Sequence, residues 1–211
     1  MNTTRRTFIK SGAALLAAAA VMPGELLASK KQKKGIIAIQ LYSIRADMSK
    51  DPLGSLKKVA EMGYEYVEHA NYVDRKFYGY SPKEFRKVLD DLGLNMISGH
   101  TVMGPEHWDE SKNDFSDSWK YTVDDAAVLG QKYVVSPSMD NSMRNKYDDF
   151  MRYMEIFNKC GDLCKNQGMK FGYHNHAFEF NEKLNNEKLF DIMMRSMDPD
   201  KVVVQVGIGY L

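Results

Sequence analysis

The chain has 211 residues, of which 44% are hydrophobic, so it is long enough to bury a sizeable core as one domain. Its 29 basic and 28 acidic side chains give a formal net charge of +1, and no basic stripe runs through the body of the sequence. This balance argues against a dedicated nucleic-acid binder, for which clustered Lys and Arg are expected. We therefore predict no nucleic-acid partner.

The N-terminal segment predicts export rather than fold. Thr4-Arg5-Arg6-Thr7-Phe8-Ile9-Lys10 resembles the bacterial twin-arginine motif. The apolar run that follows, residues 12–22, is too short to span a bilayer as a permanent helix. An amphipathic or membrane-anchoring segment is the alternative. We predict a signal peptide over residues 1–28 and a solvated linker over residues 29–35. The twin-arginine translocase is then a partner during export, and the periplasm or cell surface is the destination.

From residue 36 onward the sequence repeats one unit: apolar strand, polar strand end, amphipathic helix, glycine. Gly63, Gly93, Gly130 and Gly168 each end a predicted helix just before a strand, where a left-handed backbone is often needed. We predict strands at residues 36–42, 64–68, 95–100 and 133–136, from residue 170, and at 202–206. We predict helices at residues 52–62, 81–92, 117–129, 147–165 and 189–197. Ser81, Pro82 and Glu84 indicate a capping box at the start of the second helix.

The fifth predicted strand carries the most informative stretch, Lys-Phe-Gly-Tyr-His-Asn-His-Ala-Phe-Glu-Phe at residues 170–180. A buried parallel strand is nearly all apolar, and its carboxyl end is where α/β folds place their chemistry. His174 and His176 are two residues apart, so both project to one face of an extended strand. Asn175 then points the opposite way, and Glu179 falls in the following loop. A hairpin with surface histidines, or a satisfied core pair, is the alternative.

Six strands alternating with five helices fit either a barrel or an open doubly wound sheet. No Gly-x-Gly-x-x-Gly follows a strand, which removes the main argument for a nucleotide-binding open sheet. Polar residues gather instead at successive strand ends: Gln40, Ser43, Glu68, His69, His100, Ser136, Ser138, His174, His176 and Gln205. We therefore predict a (β/α)8 TIM barrel over residues 36–211. A complete barrel needs roughly 250 residues, so we expect an incomplete one of about six strands, with open edges that make the chain prone to aggregation.

These residues resemble the sugar phosphate isomerase/epimerase family, the xylose isomerase-like TIM barrels. The resemblance lies in Ile39-Gln40-Leu41-Tyr42-Ser43, Met62-Gly63-Tyr64-Glu65-Tyr66-Val67-Glu68, Ser98-Gly99-His100, Tyr173-His174-Asn175-His176 with Phe178-Glu179-Phe180, and Val204-Gln205-Val206. It implies a divalent metal at the barrel mouth that polarises a substrate oxygen while a carboxylate moves a proton at the neighbouring carbon. Imidazole and carboxylate ligands suit zinc, manganese or iron.

The resemblance also assigns roles to individual residues. His174 falls where many relatives place the metal ligand of the fifth strand. Glu68, His100 and His176 are the catalytic candidates, among the mouth residues that bind substrate or assist proton transfer. The expected substrate-binding residues are Gln40, Trp108, Glu179 and Gln205. Relatives carry a metal-binding aspartate on strand six, where this chain has Gly207. For Trp108, packing of its own loop is the alternative.

Two function hypotheses follow. The first is an exported isomerase, epimerase or lyase that acts on a carbohydrate or keto-sugar by metal-assisted proton transfer. The second is a non-catalytic carbohydrate-binding relative, or an inactive fragment. A DNA-repair endonuclease on the same barrel is a distant third. His69 and His107 are interpreted as surface or loop residues, and Cys160 and Cys164 as buried core side chains.

The export hypothesis predicts that Arg5 and Arg6 are both needed for translocation, because the twin-arginine receptor reads both guanidinium groups. Replacing both by lysine keeps the charge, and we expect it to leave a tagged precursor in the cytoplasm. Cell fractionation and immunoblotting measure this, with Lys34→Arg in the predicted linker as the control. Normal delivery of the double mutant to the periplasm would contradict export by the twin-arginine route.

Overall fold

The computed structural model describes residues 35–210. The predicted signal peptide and nearly all of the predicted linker lie outside this range. Six strands form one sheet: β1 (Ala38–Gln40), β2 (Tyr66–His69), β3 (Asn95–His100), β4 (Tyr133–Ser136), β5 (Lys170–His174) and β6 (Val202–Gln205). They pair in sequence order and each pair is parallel. A doubly wound sheet would reverse this order at a switch point, whereas a barrel keeps it. The predicted α/β fold and its barrel topology are confirmed.

The α-helices are α1 (Arg45–Lys50), α2 (Pro52–Glu61), α3 (Pro82–Asp91), α4 (Asp117–Val128), α5 (Tyr147–Asn166), α6 (Phe178–Asn181) and α7 (Leu189–Ser196). Short 3-10 helices lie at Leu41–Ile44, Pro105–His107, Asn141–Met143 and Ile208–Tyr210. Both halves of the predicted capping box at α3 are present, with Ser81 and Glu84 each bonded to the other's backbone N–H. In the described part of the chain, no helix is long and apolar enough to cross a membrane.

Four of the six predicted strands end at a different residue in the structure, and two of the differences move site residues. The first stops at Gln40 rather than residue 42, because the Gln40 side chain accepts a hydrogen bond from the Tyr42 N–H and starts a 3-10 turn. The fifth stops at His174, so His176 lies past the strand. Glu179 lies in the short helix α6 rather than in a loop. Residues 64–65 do not belong to β2, which instead continues to His69.

Three antiparallel hairpins were not predicted. They follow β2, β3 and β5 and consist of Tyr72–Val73 with Lys76–Phe77, Trp108–Asp109 with Asp114–Phe115, and Lys183–Leu184 with Glu187–Lys188. The first has a two-residue turn in which both Asp74 and Arg75 have positive φ, the signature of a type I′ turn. Strands of two residues are too short to carry a periodic signal.

Within residues 35–210 the core forms two apolar clusters. One is built around Trp119, Phe157 and Phe171 and packs α4, α5 and α7 against β4, β5 and β6. The other packs α2 and α3 against β2 and β3 and includes Leu56 and Phe85. Cys160 and Cys164 are free thiols with no exposed surface in the first cluster, as predicted. Both helical layers therefore cover the strand flanks and leave the carboxyl ends of the strands open.

Candidate functional site

The carboxyl ends of the strands open into a cleft of about 1230 Å³. Six of the eight predicted site residues line it: Gln40, Glu68, His100, His174, His176 and Gln205. The first hairpin and α4 form the outer wall of this cleft, with Tyr72, Asp74, Arg75, Ser118, Tyr121 and Thr122. The predicted convergence of strand ends on one mouth is therefore present in the structure. Trp108 and Glu179 are not among the cleft's lining residues.

The carboxylate of Glu68 is the centre of a hydrogen-bond network. Its Oε2 accepts a bond from Gln40 Nε2 at 2.6 Å, and its Oε1 accepts from Ser98 Oγ at 2.6 Å and Gln205 Nε2 at 2.8 Å. The three donors stand on β1, β3 and β6, so one side chain on β2 connects four strands. The Glu68 side chain is only 9% exposed, and a buried carboxylate needs such donors to offset its lost hydration.

His100 is held beside this carboxylate in a defined tautomer. Its Nε2 lies 2.7 Å from Gln205 Oε1 and 3.4 Å from Glu68 Oε2. Because Gln205 turns its Nε2 donor toward Glu68, its carbonyl oxygen faces His100. An amide oxygen only accepts, so Nε2 of His100 carries the proton of this hydrogen bond. The site thus places an N–H donor next to a carboxylate acceptor.

His174 and His176 form the adjoining wall of the cleft. The ring centroid of His174 lies 5.1 Å from that of His100 and 5.4 Å from that of His176. Burial lowers the pKa of His174, and the neighbouring imidazoles His100 and His176 lower it further. A lowered pKa favours the neutral imidazole, which is the form that coordinates metals.

The ligand set of a metal centre does not come together around His174. Within residues 35–210, no group of three or more His, Cys, Asp or Glu side chains is arranged to hold a metal ion. Gly207, where the resemblance expects an aspartate ligand, is instead paired with Asn175. The Gly207 N–H donates to Asn175 Oδ1 at 2.9 Å, and Asn175 Nδ2 donates to the Gly207 carbonyl at 3.3 Å. This pair fixes the chain after β6 to the end of β5, so the described residues alone do not fit the implied metal.

Glu179 supports the cleft from behind. Its carboxylate is fully buried, and it accepts hydrogen bonds from the Tyr173 hydroxyl at 2.6 Å and from the His176 backbone N–H at 2.8 Å. Burial raises the pKa of Glu179, and these hydrogen bonds oppose the rise. Its contacts fix the main chain of His176, whereas the sequence analysis assigned Glu179 to substrate.

Trp108 packs within the second hairpin. Its ring meets Phe115 edge to face at 5.0 Å between centroids, and the Lys159 ammonium lies 4.6 Å from its ring centre. These contacts match the packing alternative rather than a sugar platform in the cleft.

His69 was expected on the surface, and this was wrong. It is 2% exposed at the end of β2, and burial lowers its pKa to about 3, with His100 adding to the effect. The imidazole occupies the space in which a Cβ at its cross-strand partner Gly99 would stand. The burial of His69 depends on the absence of a side chain at Gly99 on the neighbouring strand, so the sequence of β2 alone does not predict it.

Sequence reasoning also missed Ser98 and the outer-wall residues Tyr72, Arg75 and Tyr121. Ser98 stands two residues before His100, hence on the same strand face, and this spacing was the available signal. The outer-wall residues lie on the first hairpin and on α4, whereas the prediction considered only polar residues at the ends of strands.

Comparison with known proteins agrees with this geometry. The family described as "Xylose isomerase-like TIM barrel" matches residues 56–209. The chain belongs to this family. A search of curated proteins found no match.

Solved structures give the same result for the family. Two sugar phosphate isomerases/epimerases from Parabacteroides distasonis ATCC 8503 are similar to this xylose isomerase-like chain. The first is 26% identical with a TM-score of 0.73, and the match covers 90% of this chain and 71% of that one. The second is 31% identical with a TM-score of 0.67, covering 81% and 68%. A D-psicose 3-epimerase, 18% identical with a TM-score of 0.54 and coverage of 80% and 62%, shares the fold.

The contact between Gly99 and His69 generates a prediction. A methyl group at residue 99 overlaps the His69 imidazole, so we expect Gly99→Ala to lower the free energy of unfolding by about 1–3 kcal/mol, as overpacking does. Thermal unfolding followed by circular dichroism measures the loss. Gly209→Ala is the control, because no atom lies within 4 Å of its added Cβ.

The double mutant His69→Ala, Gly99→Ala should lose less stability than the sum of the two single mutants, because the clash requires both groups. Additive losses, or a Gly99→Ala protein as stable as the wild type, would contradict the proposed contact.

Proposed function

We propose that this chain is a sugar isomerase or epimerase that moves a proton at a carbon next to a carbonyl group, on a carbohydrate or keto-sugar. The observation that carries the proposal is the buried Glu68 carboxylate with the Nε2–H of His100 3.4 Å away, both on the wall of one cleft. Membership of the xylose isomerase-like family supports it. So does the similarity to proteins named as sugar phosphate isomerases/epimerases.

Glu68 has the chemistry of the base. An ionised carboxylate has about four lone-pair sites, and the described contacts use three of them. When the carboxylate takes the proton from carbon, the C–H electron pair moves toward the carbonyl oxygen and an enediolate forms. Return of the proton to the other carbon, with transfer of the hydroxyl proton from one oxygen to the other, isomerises the sugar. Epimerisation requires that an acid on the opposite face of the enediolate delivers the new proton while Glu68 keeps the one it removed.

The developing enediolate needs hydrogen-bond donors at its oxygens. His100 carries a proton on Nε2, and the amides of Gln40 and Gln205 stand beside the same carboxylate. We assign donation to substrate oxygen to His100, whose Nε2–H exchanges its bond to Gln205 Oε1 for one to the substrate. We assign substrate contacts to Gln40 and Gln205, since each amide nitrogen has a second N–H beyond the one that Glu68 accepts. Gln205 has a second task, because its fixed amide orientation keeps the His100 proton on Nε2. His176 adds a further polar group to this wall.

Metal assistance by zinc, manganese or iron is a separate proposal, and His174 is its one assigned ligand. The lowered pKa of its imidazole, which favours the neutral form, is compatible with this assignment. A complete site needs ligands that residues 35–210 do not assemble around it. For this reason every step above is assigned to protein groups.

Export is proposed from the sequence. The Arg5-Arg6 motif supports delivery of the folded enzyme by the twin-arginine translocase to the periplasm or cell surface.

A non-catalytic carbohydrate-binding protein is the second candidate. The Asn175–Gly207 pair, which stands in place of an expected metal-binding carboxylate, favours it. Binding and turnover therefore have to be measured separately.

Glu68→Gln removes the base and keeps the size of the side chain. We expect turnover to fall by about 10²- to 10⁴-fold, the usual contribution of general acid–base catalysis. Conversion of D-fructose and related ketoses is followed by nuclear magnetic resonance, and binding by calorimetry. Glu65→Gln, an exposed glutamate just before the same strand, is the control.

Turnover by Glu68→Gln at the wild-type rate would remove Glu68 from the mechanism. A wild-type protein that binds these sugars and converts none of them would favour the carbohydrate-binding alternative.

The metal proposal predicts that His174→Ala retains less zinc, manganese or iron than the wild type after dialysis. Elemental analysis of the purified full chain measures this. His107→Ala is the control, since His107 lines the same cleft but lies outside the group formed by His100, His174 and His176. Equal metal content in wild type and His174→Ala would show that His174 is not a ligand.

A further inference from the structure

The first hairpin contributes a cationic side chain to the cleft. Arg75 stands in its two-residue turn, and its side chain is 53% exposed. Among the described residues that line the cleft, Arg75 is the one Lys or Arg. Ser118 and Thr122 bring two hydroxyl-bearing side chains to the same outer wall. Glu68 and His100 also line this cleft.

The guanidinium of Arg75 is held in place from behind. Its Nε donates to Asp125 Oδ2 at 3.0 Å and its Nη2 to Asp125 Oδ1 at 2.8 Å, in the bidentate arrangement that suits a carboxylate. The Tyr72 hydroxyl donates to the same Asp125 at 2.6 Å. The guanidinium carbon lies 4.2 Å from the centre of the Tyr121 ring. These contacts fix the plane of the group before any ligand arrives.

Donors remain available on this fixed group. A guanidinium has five N–H donors, and Asp125 takes one from Nε and one from Nη2. Three donors are left on a side chain that is half exposed. Asp125 itself is 3% exposed, so a ligand in the cleft meets the guanidinium and not the carboxylate beneath it. Asp74, the neighbour of Arg75 in the turn, also lines the cleft and is exposed to water.

The backbone at Arg75 also points to a role beyond the turn. Its φ is 60° and that of Asp74 is 50°, a left-handed pair in which Gly and Asn are favoured. A long side chain in this conformation costs conformational energy, which persists where the surroundings hold it in place. The bonds to Asp125 hold it here, and the half-exposed guanidinium lines the same cleft as Glu68 and His100.

We propose that Arg75 forms an anion subsite that binds a carboxylate or phosphate group of the sugar substrate. The proposal rests on the proposed function and narrows its substrate class to anionic sugars. The planar fork matches two oxygens of either anion, so sugar acids and sugar phosphates are both tested.

The experiment measures binding to the full chain by calorimetry, which does not require turnover. The probes are D-glucuronate and D-fructose 6-phosphate, their uncharged counterparts D-glucose and D-fructose, and inorganic phosphate. We expect the wild type to bind at least one anionic sugar about tenfold tighter than its uncharged counterpart, the effect of one charge-assisted hydrogen bond. The anionic sugar that shows this preference identifies carboxylate or phosphate as the group recognised. Tighter binding of inorganic phosphate than of either sugar would overturn a sugar-specific subsite.

Two variants and a control assign the effect to Arg75. Arg75→Gln removes the charge and the fork, and the tenfold preference should disappear. Arg75→Lys keeps the charge and should retain part of it, which keeps the proposal testable if Arg75→Gln unfolds. Lys76→Gln, on the same hairpin but not lining the cleft, should change nothing.

Equal affinity of the wild type for charged and uncharged sugars, or an unchanged preference in Arg75→Gln, would overturn the proposal. Glu68→Gln separates the Arg75 subsite from the proposed function, because this variant should lose turnover and still prefer the anionic sugar. A preference for anions without turnover in the wild type leaves the Arg75 subsite standing and removes the isomerase, whereas turnover of uncharged sugars alone does the reverse.

Discussion

The buried carboxylate of Glu68 is the group on which the rest of the site depends. A carboxylate removed from water is costly unless donors surround it, and here the donors come from Gln40, Ser98 and Gln205 on three other strands. The carboxyl ends of β1, β2, β3 and β6 must therefore converge for the charge to be satisfied. The same convergence brings His100 to within 3.4 Å of Glu68. Fold and candidate chemistry thus share one interaction.

Much of the fold is predictable because its signals are local. The bounds of β3 and β4 agree with the sequence pattern, since an apolar run bounded by polar residues defines a short buried strand. The capping box at Ser81 is likewise a local signal. The ends of β1 and β5 are not, because the Gln40 side chain turns the chain after β1, and a helical turn at Glu179 follows β5. The three hairpins were not predicted because their strands have only two residues each, too few to show the alternation of apolar and polar residues.

The inner residues of the site were predictable from polar side chains at strand ends, and six of the eight meet at one cleft. The exceptions depend on tertiary neighbours. Glu179 is polar and close to His176 in sequence, but its carboxylate is turned toward the His176 peptide and the Tyr173 hydroxyl. His69 ends a strand as His100 does, yet the missing side chain of Gly99 leaves space for its ring in the interior. The role proposed for Arg75 could not be predicted from the sequence, because it depends on the hairpin that places Arg75 beside Asp125.

We propose that this cleft removes a proton from a carbon next to a carbonyl group. Incubation of the full chain with candidate ketoses and their anionic derivatives in deuterated water, followed by nuclear magnetic resonance, tests it most directly. We expect deuterium to enter at the carbon beside the carbonyl of at least one of them, at a rate that Glu68→Gln lowers. Binding of these sugars with no exchange of that hydrogen would contradict it.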